Sequence, residues 1–236
     1  MPEKVAKNLN PFTNNYQKTL VGEYMANNKV VAVDEFKDAR TQYLTDLVEN
    51  EGVSARAKKL IIAKVNELED RDYKVIGYGS LLNSSDVYRT SPNLVRHEVG
   101  FLDGWTRIFN MGSANTGSYL NVRPSNRKSM IVAILTVPAL DMFSLIEREI
   151  NYRMLTVKVR DEVGKTMDAL MVVGYKAHTT YNLIPQANYL HLCMNGAGKL
   201  GGKRGIDNFI DSTETCFGTL KEFLQTPLEQ VYRAQV

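Results

Sequence analysis

Two short stretches of this chain combine residue types that can do chemistry. The first is Val75-Ile76-Gly77-Tyr78-Gly79-Ser80-Leu81. An apolar run that ends in Gly-Tyr-Gly-Ser reads as a strand entering a tight turn. Glycine lets the backbone turn sharply and lets a ligand approach peptide N–H groups closely. Successive N–H groups at such a turn form an anion-binding concavity, and Ser80 adds a hydroxyl donor. The combination suits a carboxylate or a developing oxyanion; the plainer reading is a strand-to-loop turn with no ligand. The second stretch, residues 140–152, is an apolar helical pattern that runs out in Glu147-Arg148-Glu149. Residues two apart on a helix point in different directions, so one acid can face solvent while the other faces inward. An inward Glu in apolar surroundings has a raised pKa and can move protons near neutrality. The plainer reading is a solvated helix end with ordinary charges.

The elements that must position these residues can be read from periodicity. Residues 1–30 are rich in Asn, Lys and Thr and carry at most a short helix near Tyr16–Met25. Phe36, Ala39, Tyr43, Leu44, Leu47 and Val48 then recur at helical spacing, with Asp34 as a candidate N-cap and Gly52 as the stop. A second helix starts at Ser54 and places Ala57, Ile61, Val65 and Leu68 on one face. This pair reads as a pad over the main domain, or as a partner-binding arm. From Tyr73 the texture changes. Residues 73–78, 95–108, 130–137, 155–159 and 170–175 read as strands, with Asp103-Gly104 as a hairpin turn and residues 111–129 as a loop. Met130–Val137 is almost continuously apolar, as in a strand buried on both faces. Pro138 opens a short helix. A glycine-rich stretch from Asn195 to Gly205 separates a segment around Tyr189–Met194 from a last helical stretch near Ile206–Leu224. Strands and helices mix without a regular βαβ alternation, which favours an α+β architecture over a doubly wound sheet.

Composition narrows the function classes. The chain has 236 residues, 44% hydrophobic and 23% charged, the balance of a globular protein of one large domain or one domain with an appendage. Its net charge is only +3; residues 1–72 hold 11 basic and 12 acidic side chains and the remainder 18 and 14. Nothing concentrates into a basic face, so nucleic acid is not an expected partner. Cys193 and Cys216 make no disulfide framework, the first twenty residues are polar, and no run approaches the roughly 18–20 apolar residues of a membrane helix. The expectation is a cytoplasmic protein with reduced thiols and no membrane partner. His97, His178 and His191 are scattered and no CxxC is present, so no metal site is expected. Gly196, Gly198 and Gly201 match GxGxxG but lack the strand–helix context of a dinucleotide site, and Lys203 is followed by Arg204 rather than the Ser or Thr of a P-loop. Cys193 reads as a buried, inert thiol, and Trp105 as core or pocket wall.

The ordered set of segments resembles a known family. The Gly77–Leu81 turn is followed by Phe101-Leu-Asp-Gly-Trp105-Thr-Arg107-Ile-Phe109, by the apolar run Ile131–Val137, and by Arg148-Glu149 with Tyr152-Arg153 nearby. Pro185, Tyr189 and then Asn195-Gly196-Ala197 come last. Over residues 73–225 this is similar to the γ-glutamylcyclotransferase superfamily, which includes the ChaC-type glutathione-degrading enzymes and the γ-glutamylamine cyclotransferases. The resemblance implies a small mixed β-barrel flanked by helices, with residues 1–72 as an N-terminal helical extension and 226–236 as a tail. It implies cyclisation of a γ-glutamyl group to 5-oxoproline with release of an amine or amino acid. Glu149 would be the general acid/base, Gly77, Tyr78, Gly79, Ser80 and Leu81 the substrate-holding turn, and Tyr189 a further substrate contact. That reaction needs no metal or organic cofactor. Two other classes stand beside it: an inactive binding module that recognises a γ-glutamyl-like or amino-acid group, and a protein that recruits a partner through its N-terminal helices.

Overall fold

The computed structural model describes residues 34–176, 179–180 and 182–227. The short helix expected near Tyr16–Met25, His178 and residues 228–236 lie outside the described residues. Among the described residues two helices come first, α1 (Asp34–Glu49) and α2 (Ala55–Asn66), followed by strand β1 (Tyr73–Gly77). A 3-10 turn (Ser80–Leu82) leads into a one-turn helix α3 (Ser84–Val87). Next are β2 (Arg96–Ser113), β3 (Gly117–Val137), α4 (Asp141–Arg148), β4 (Tyr152–Asp161) and β5 (Thr166–Gly174). The chain continues through α5 (Ala187–Asp211), β6 (Thr213–Thr215), β7 (Gly218–Thr219) and α6 (Leu220–Gln225).

The strands run in the order β3-β1-β5-β4-β2, and β2 pairs back onto β3, so five strands close into a barrel with β6 and β7 continuing from β2. Closure removes free sheet edges within the barrel. β1 is parallel to β5 and antiparallel to β3, which makes the barrel mixed. The architecture is therefore α+β, as the irregular mix of elements in the sequence suggests. Every residue from Met130 to Val137 is buried, because this part of β3 lies between β1 and β2 with side chains covered on both faces.

Four local expectations are corrected. Residues 111–129 do not form a loop; β2 and β3 continue through them as one long hairpin that turns at 114–116. Ladder hydrogen bonds do not depend on side-chain polarity, and Leu120 and Val122 still point inward among polar neighbours. Asp103-Gly104 is not a hairpin turn but an irregularity inside β2, where Gly104 takes a φ of 80° and the register shifts. The stretch from Asn195 to Gly205 is helical and belongs to α5, broken only at Gly201 and Gly202. The last helical stretch stops at Asp211, and a small β6–β7 hairpin precedes α6, whose Thr219 and Glu222 form a reciprocal capping box.

Gly196 of α5 serves packing. A Cβ at Gly196 would lie 2.6 Å from the Asn83 nitrogen, so only glycine lets α5 rest directly on the end of the 3-10 turn. On the other side of that turn, α1 and α2 cover α4. The Phe36 and Tyr43 rings stack on Phe143 at 5.7 and 5.0 Å, each contact worth about 0.5–1.5 kcal/mol beyond the area it buries. Ser54 caps α2, and Ile61, Val65 and Leu68 are buried in the same apolar cluster as the barrel. Val48, read as part of the apolar face of α1, is instead 57% exposed.

Candidate active site

β1 delivers Tyr78 to the end of the barrel, and the chain turns there. Arg107 of β2, fully buried, fixes that turn from below. Its Nε donates to the Tyr78 carbonyl at 2.7 Å, one Nη to Ser212 Oγ at 2.6 Å and the other to the Ile131 carbonyl. Burial pushes this guanidinium down to about 10, which leaves it charged at neutral pH, above the Phe209 ring. The Tyr78 hydroxyl donates to the Val172 carbonyl at 2.9 Å, tying β1 to β5. Two close approaches demand glycine: a Cβ on Gly77 would sit 2.8 Å from Leu81 atoms, and one on Gly79 would sit 2.6 Å from the Tyr189 hydroxyl.

Glu149 arrives from the opposite side as the C-cap of α4, 9% exposed. Its amide bonds the Leu145 carbonyl and its carbonyl accepts from the Tyr152 amide, both within 3.0 Å. Arg148 lies between Glu149 and the turn. Its Nε is 3.2 Å from Glu149 Oε1, while one Nη donates to both Ser80 Oγ and Asp86 Oδ2 at 2.7 Å. The other Nη reaches Thr90 Oγ1 at 3.2 Å and the Asp86 carbonyl at 3.4 Å. One guanidinium is thus shared by two carboxylates and the Ser80 hydroxyl of the turn. Since Ser80 Oγ accepts from Arg148, its hydroxyl hydrogen is left to be donated.

These groups surround a cavity of about 140 Å³, room for about four or five waters. Tyr78, Gly79, Ser80, Leu81, Glu149 and Tyr189 all line it, so residues 110 positions apart in the sequence share one wall-to-wall space. Gly77 lies behind the wall, packed on Leu81. Tyr189 stands in the first turn of α5, which Gln186 caps. The segment before it is tied to β3 by Ser118, whose amide donates to the Ile184 carbonyl and whose carbonyl accepts from the Gln186 amide. Tyr119 meets the Tyr189 ring edge-on at 5.0 Å.

Burial dominates the electrostatics. It raises the Glu149 carboxyl above the ordinary glutamate value, with Asp86 adding to the rise and Arg148 and Lys64 opposing it. Tyr78, Tyr152 and Tyr189 are pushed up by burial and stay neutral hydroxyls. Glu147 is not the solvent-facing acid of the pair. It is half-buried and accepts from the Tyr43 hydroxyl of α1 at 3.3 Å.

Sequence reading missed Arg148 as a site residue, and with it Asp86, Tyr119 and Tyr152. Arg148 stood in the motif, but nothing in its spacing to Ser80 or Asp86 showed that it joins them. Asp86 belongs to a separate one-turn helix, and Tyr119 lies in the stretch expected to be a loop. His97 lies outside the cavity, its Nε2 within 3.2 Å of the Leu81 carbonyl. Cys193 is fully buried, its thiol pushed up to about 12. Gly196 and Gly198 sit in helix and Gly201 at its kink, so the stretch does not form a glycine-rich loop that could wrap a phosphate. Among the described residues no group of three His, Cys, Asp or Glu side chains could hold a metal ion, and no helix is long and apolar enough to cross a membrane.

No family model and no curated protein matches this sequence. Solved structures match the fold. A protein described as a gamma-glutamyl cyclotransferase superposes with a TM-score of 0.51 at 17% identity, over 59% of this chain and 86% of its own. The chain has a γ-glutamylcyclotransferase-like fold. An uncharacterized protein from Homo sapiens superposes with a TM-score of 0.54 at 16% identity, covering 67% of this chain and 100% of that one.

Proposed function

We propose that this chain is a γ-glutamylcyclotransferase-type enzyme that converts a γ-glutamyl compound to 5-oxoproline and a free amine or amino acid. The observation that carries the reading is the buried Glu149 carboxyl, with its raised pKa, across one small cavity from the Ser80 turn and Tyr189. In this reading the substrate's α-carboxylate or developing oxyanion lies at the turn, where the first amides of a 3-10 turn lack intrahelical acceptors and Ser80 offers its hydroxyl hydrogen. The α-amino nitrogen attacks the γ-carbonyl carbon and a five-membered ring closes. Glu149 accepts a proton from the attacking amine and returns one to the leaving nitrogen as the original γ-amide C–N bond breaks. Ring closure is unimolecular, so the protein's contribution is orientation, proton movement and oxyanion stabilisation.

The test is 5-oxoproline release from a panel of γ-glutamyl dipeptides, γ-glutamylamines and glutathione, with Glu149→Gln alongside. Release by the parent and its loss in the variant, by about 100-fold or more, supports the reading and names the leaving amine. Binding of panel members without release by either protein overturns the enzyme and leaves a binding module. In that case the Arg148–Glu149 pair keeps an anionic group ready for an ammonium.

A further inference from the structure

Among the described residues ahead of the barrel, Lys64 reaches the candidate site. Lys64 lies in the last turn of α2, where a cation also complements the helix C-terminus. Its Nζ donates to the Tyr152 carbonyl at 2.8 Å. Tyr152 closes the turn that begins at Glu149, its amide bonding the Glu149 carbonyl at 2.9 Å. The same tyrosine lines the cavity and donates its hydroxyl to the Leu120 carbonyl at 3.2 Å. Lys64 therefore grips, from outside the barrel, the four-residue turn that holds the proposed acid/base.

The charges around Glu149 give that grip a second consequence. Facing it are Arg148 on its own helix, Asp86 from α3, Lys64 from α2, and the hydroxyls of Tyr78, Tyr152 and Tyr189 from the turn after β1, from β4 and from α5. Arg148 is divided between Glu149 and Asp86. Arg89 adds a pair to Asp86 from the surface side, 59% exposed and so screened by water. Two buried carboxylates thus share one guanidinium, and among the described residues the other cation that acts on Glu149 is Lys64. Its own pKa is lowered by burial and raised by Glu149, as expected of a half-buried ammonium coupled to a carboxylate.

We infer that Lys64 is a positioning residue for Glu149: it fixes the Glu149–Tyr152 turn through the Tyr152 carbonyl and supplies the second cation that keeps the Glu149 carboxylate available as a base. The helical extension is then part of the site's electrostatics as well as a cover for α4. This deepens the proposed function, because Glu149 is the group acted on, yet the coupling itself can be measured without turnover.

The experiment is a carbon-13 carboxyl NMR titration of the full chain, with the Glu149 signal assigned by its absence in Glu149→Gln. Parent, Lys64→Gln and Lys64→Arg are compared. Lys64→Gln keeps a donor for the Tyr152 carbonyl and removes the charge. Its Glu149 midpoint moves up, and Lys64→Arg restores the parent value. If the parent releases 5-oxoproline, the acidic limb of kcat/KM moves up with the midpoint in Lys64→Gln, and kcat/KM below the limb falls by the matching factor. A Glu149 midpoint unchanged in Lys64→Gln overturns the inference, as does an equal upward shift in Lys64→Arg. Should Lys64→Gln not fold, Lys64→Met provides the same comparison. A parent that releases no product sinks the proposed activity and leaves the titration to decide the coupling.

Discussion

A Cβ placed on Gly79 would lie 2.6 Å from the hydroxyl oxygen of Tyr189, so the turn after β1 and the first turn of α5 touch with nothing between them. Both residues line the cavity. Gly79→Ala forces the tyrosine ring away, and ligand affinity falls. Tyr189→Phe removes the oxygen that the new methyl strikes. The double variant Gly79→Ala/Tyr189→Phe should therefore recover stability relative to Gly79→Ala alone, a non-additivity of about 0.5–3 kcal/mol. Urea denaturation of the three variants and the parent measures it. Strict additivity would mean the two residues do not meet.

Ser80 accepts from Arg148 and keeps a hydrogen for the cavity. Ser80→Ala should weaken binding of 5-oxoproline by about 1–3 kcal/mol, the cost of one buried hydrogen bond. Calorimetric titration with 5-oxoproline checks this. An unchanged affinity takes Ser80 out of ligand contact.

Arg148 holds Asp86 and Glu149 together with side chains only 11–18% exposed. Arg148→Met leaves two carboxylates buried without their common partner. The expected loss is about 3–5 kcal/mol of unfolding free energy, with the larger part regained at acid pH as the carboxylates protonate. Chemical denaturation at two pH values reads both. A loss below about 1 kcal/mol would place the pair in effective contact with water.

The raised pKa of Glu149 has a sign for stability. A carboxyl whose folded pKa exceeds the unfolded value, near 4.5, binds its proton more tightly in the native state. The stability this contributes is fully present below the unfolded value and is lost as pH rises through the folded one. Glu149→Gln, which does not titrate, escapes that loss. The Tm of Glu149→Gln minus that of the parent should grow as pH rises from 4.5 through the folded value. Glu147 and Asp141 are raised by burial as well, but they act alike in both proteins and cancel. A difference that shrinks with pH would show that Arg148 and Lys64 outweigh burial.

The sequence by itself determined the local pieces of this protein. Ser54 marked the start of α2, the Gly-Tyr-Gly-Ser turn marked the end of β1, and Met130–Val137 read as a doubly buried strand because its apolar run leaves no solvent face. The ordered motifs also pointed to the γ-glutamylcyclotransferase-like barrel and singled out Glu149, Ser80 and Tyr189, which do line one cavity. Polar strands and glycine-rich helices were misread. Residues 117–124 are paired with β2 in a ladder that side-chain chemistry does not announce. In α5, Gly196 marks close packing on Asn83, and the helix is interrupted only at Gly201 and Gly202. Only the tertiary structure decided the partners of the charges. Arg148 meets Ser80 and Asp86, more than sixty positions away, and Lys64 reaches Tyr152 across 88. Such pairings depend on how helices cross over a closed barrel, and periodicity along one element carries no record of them.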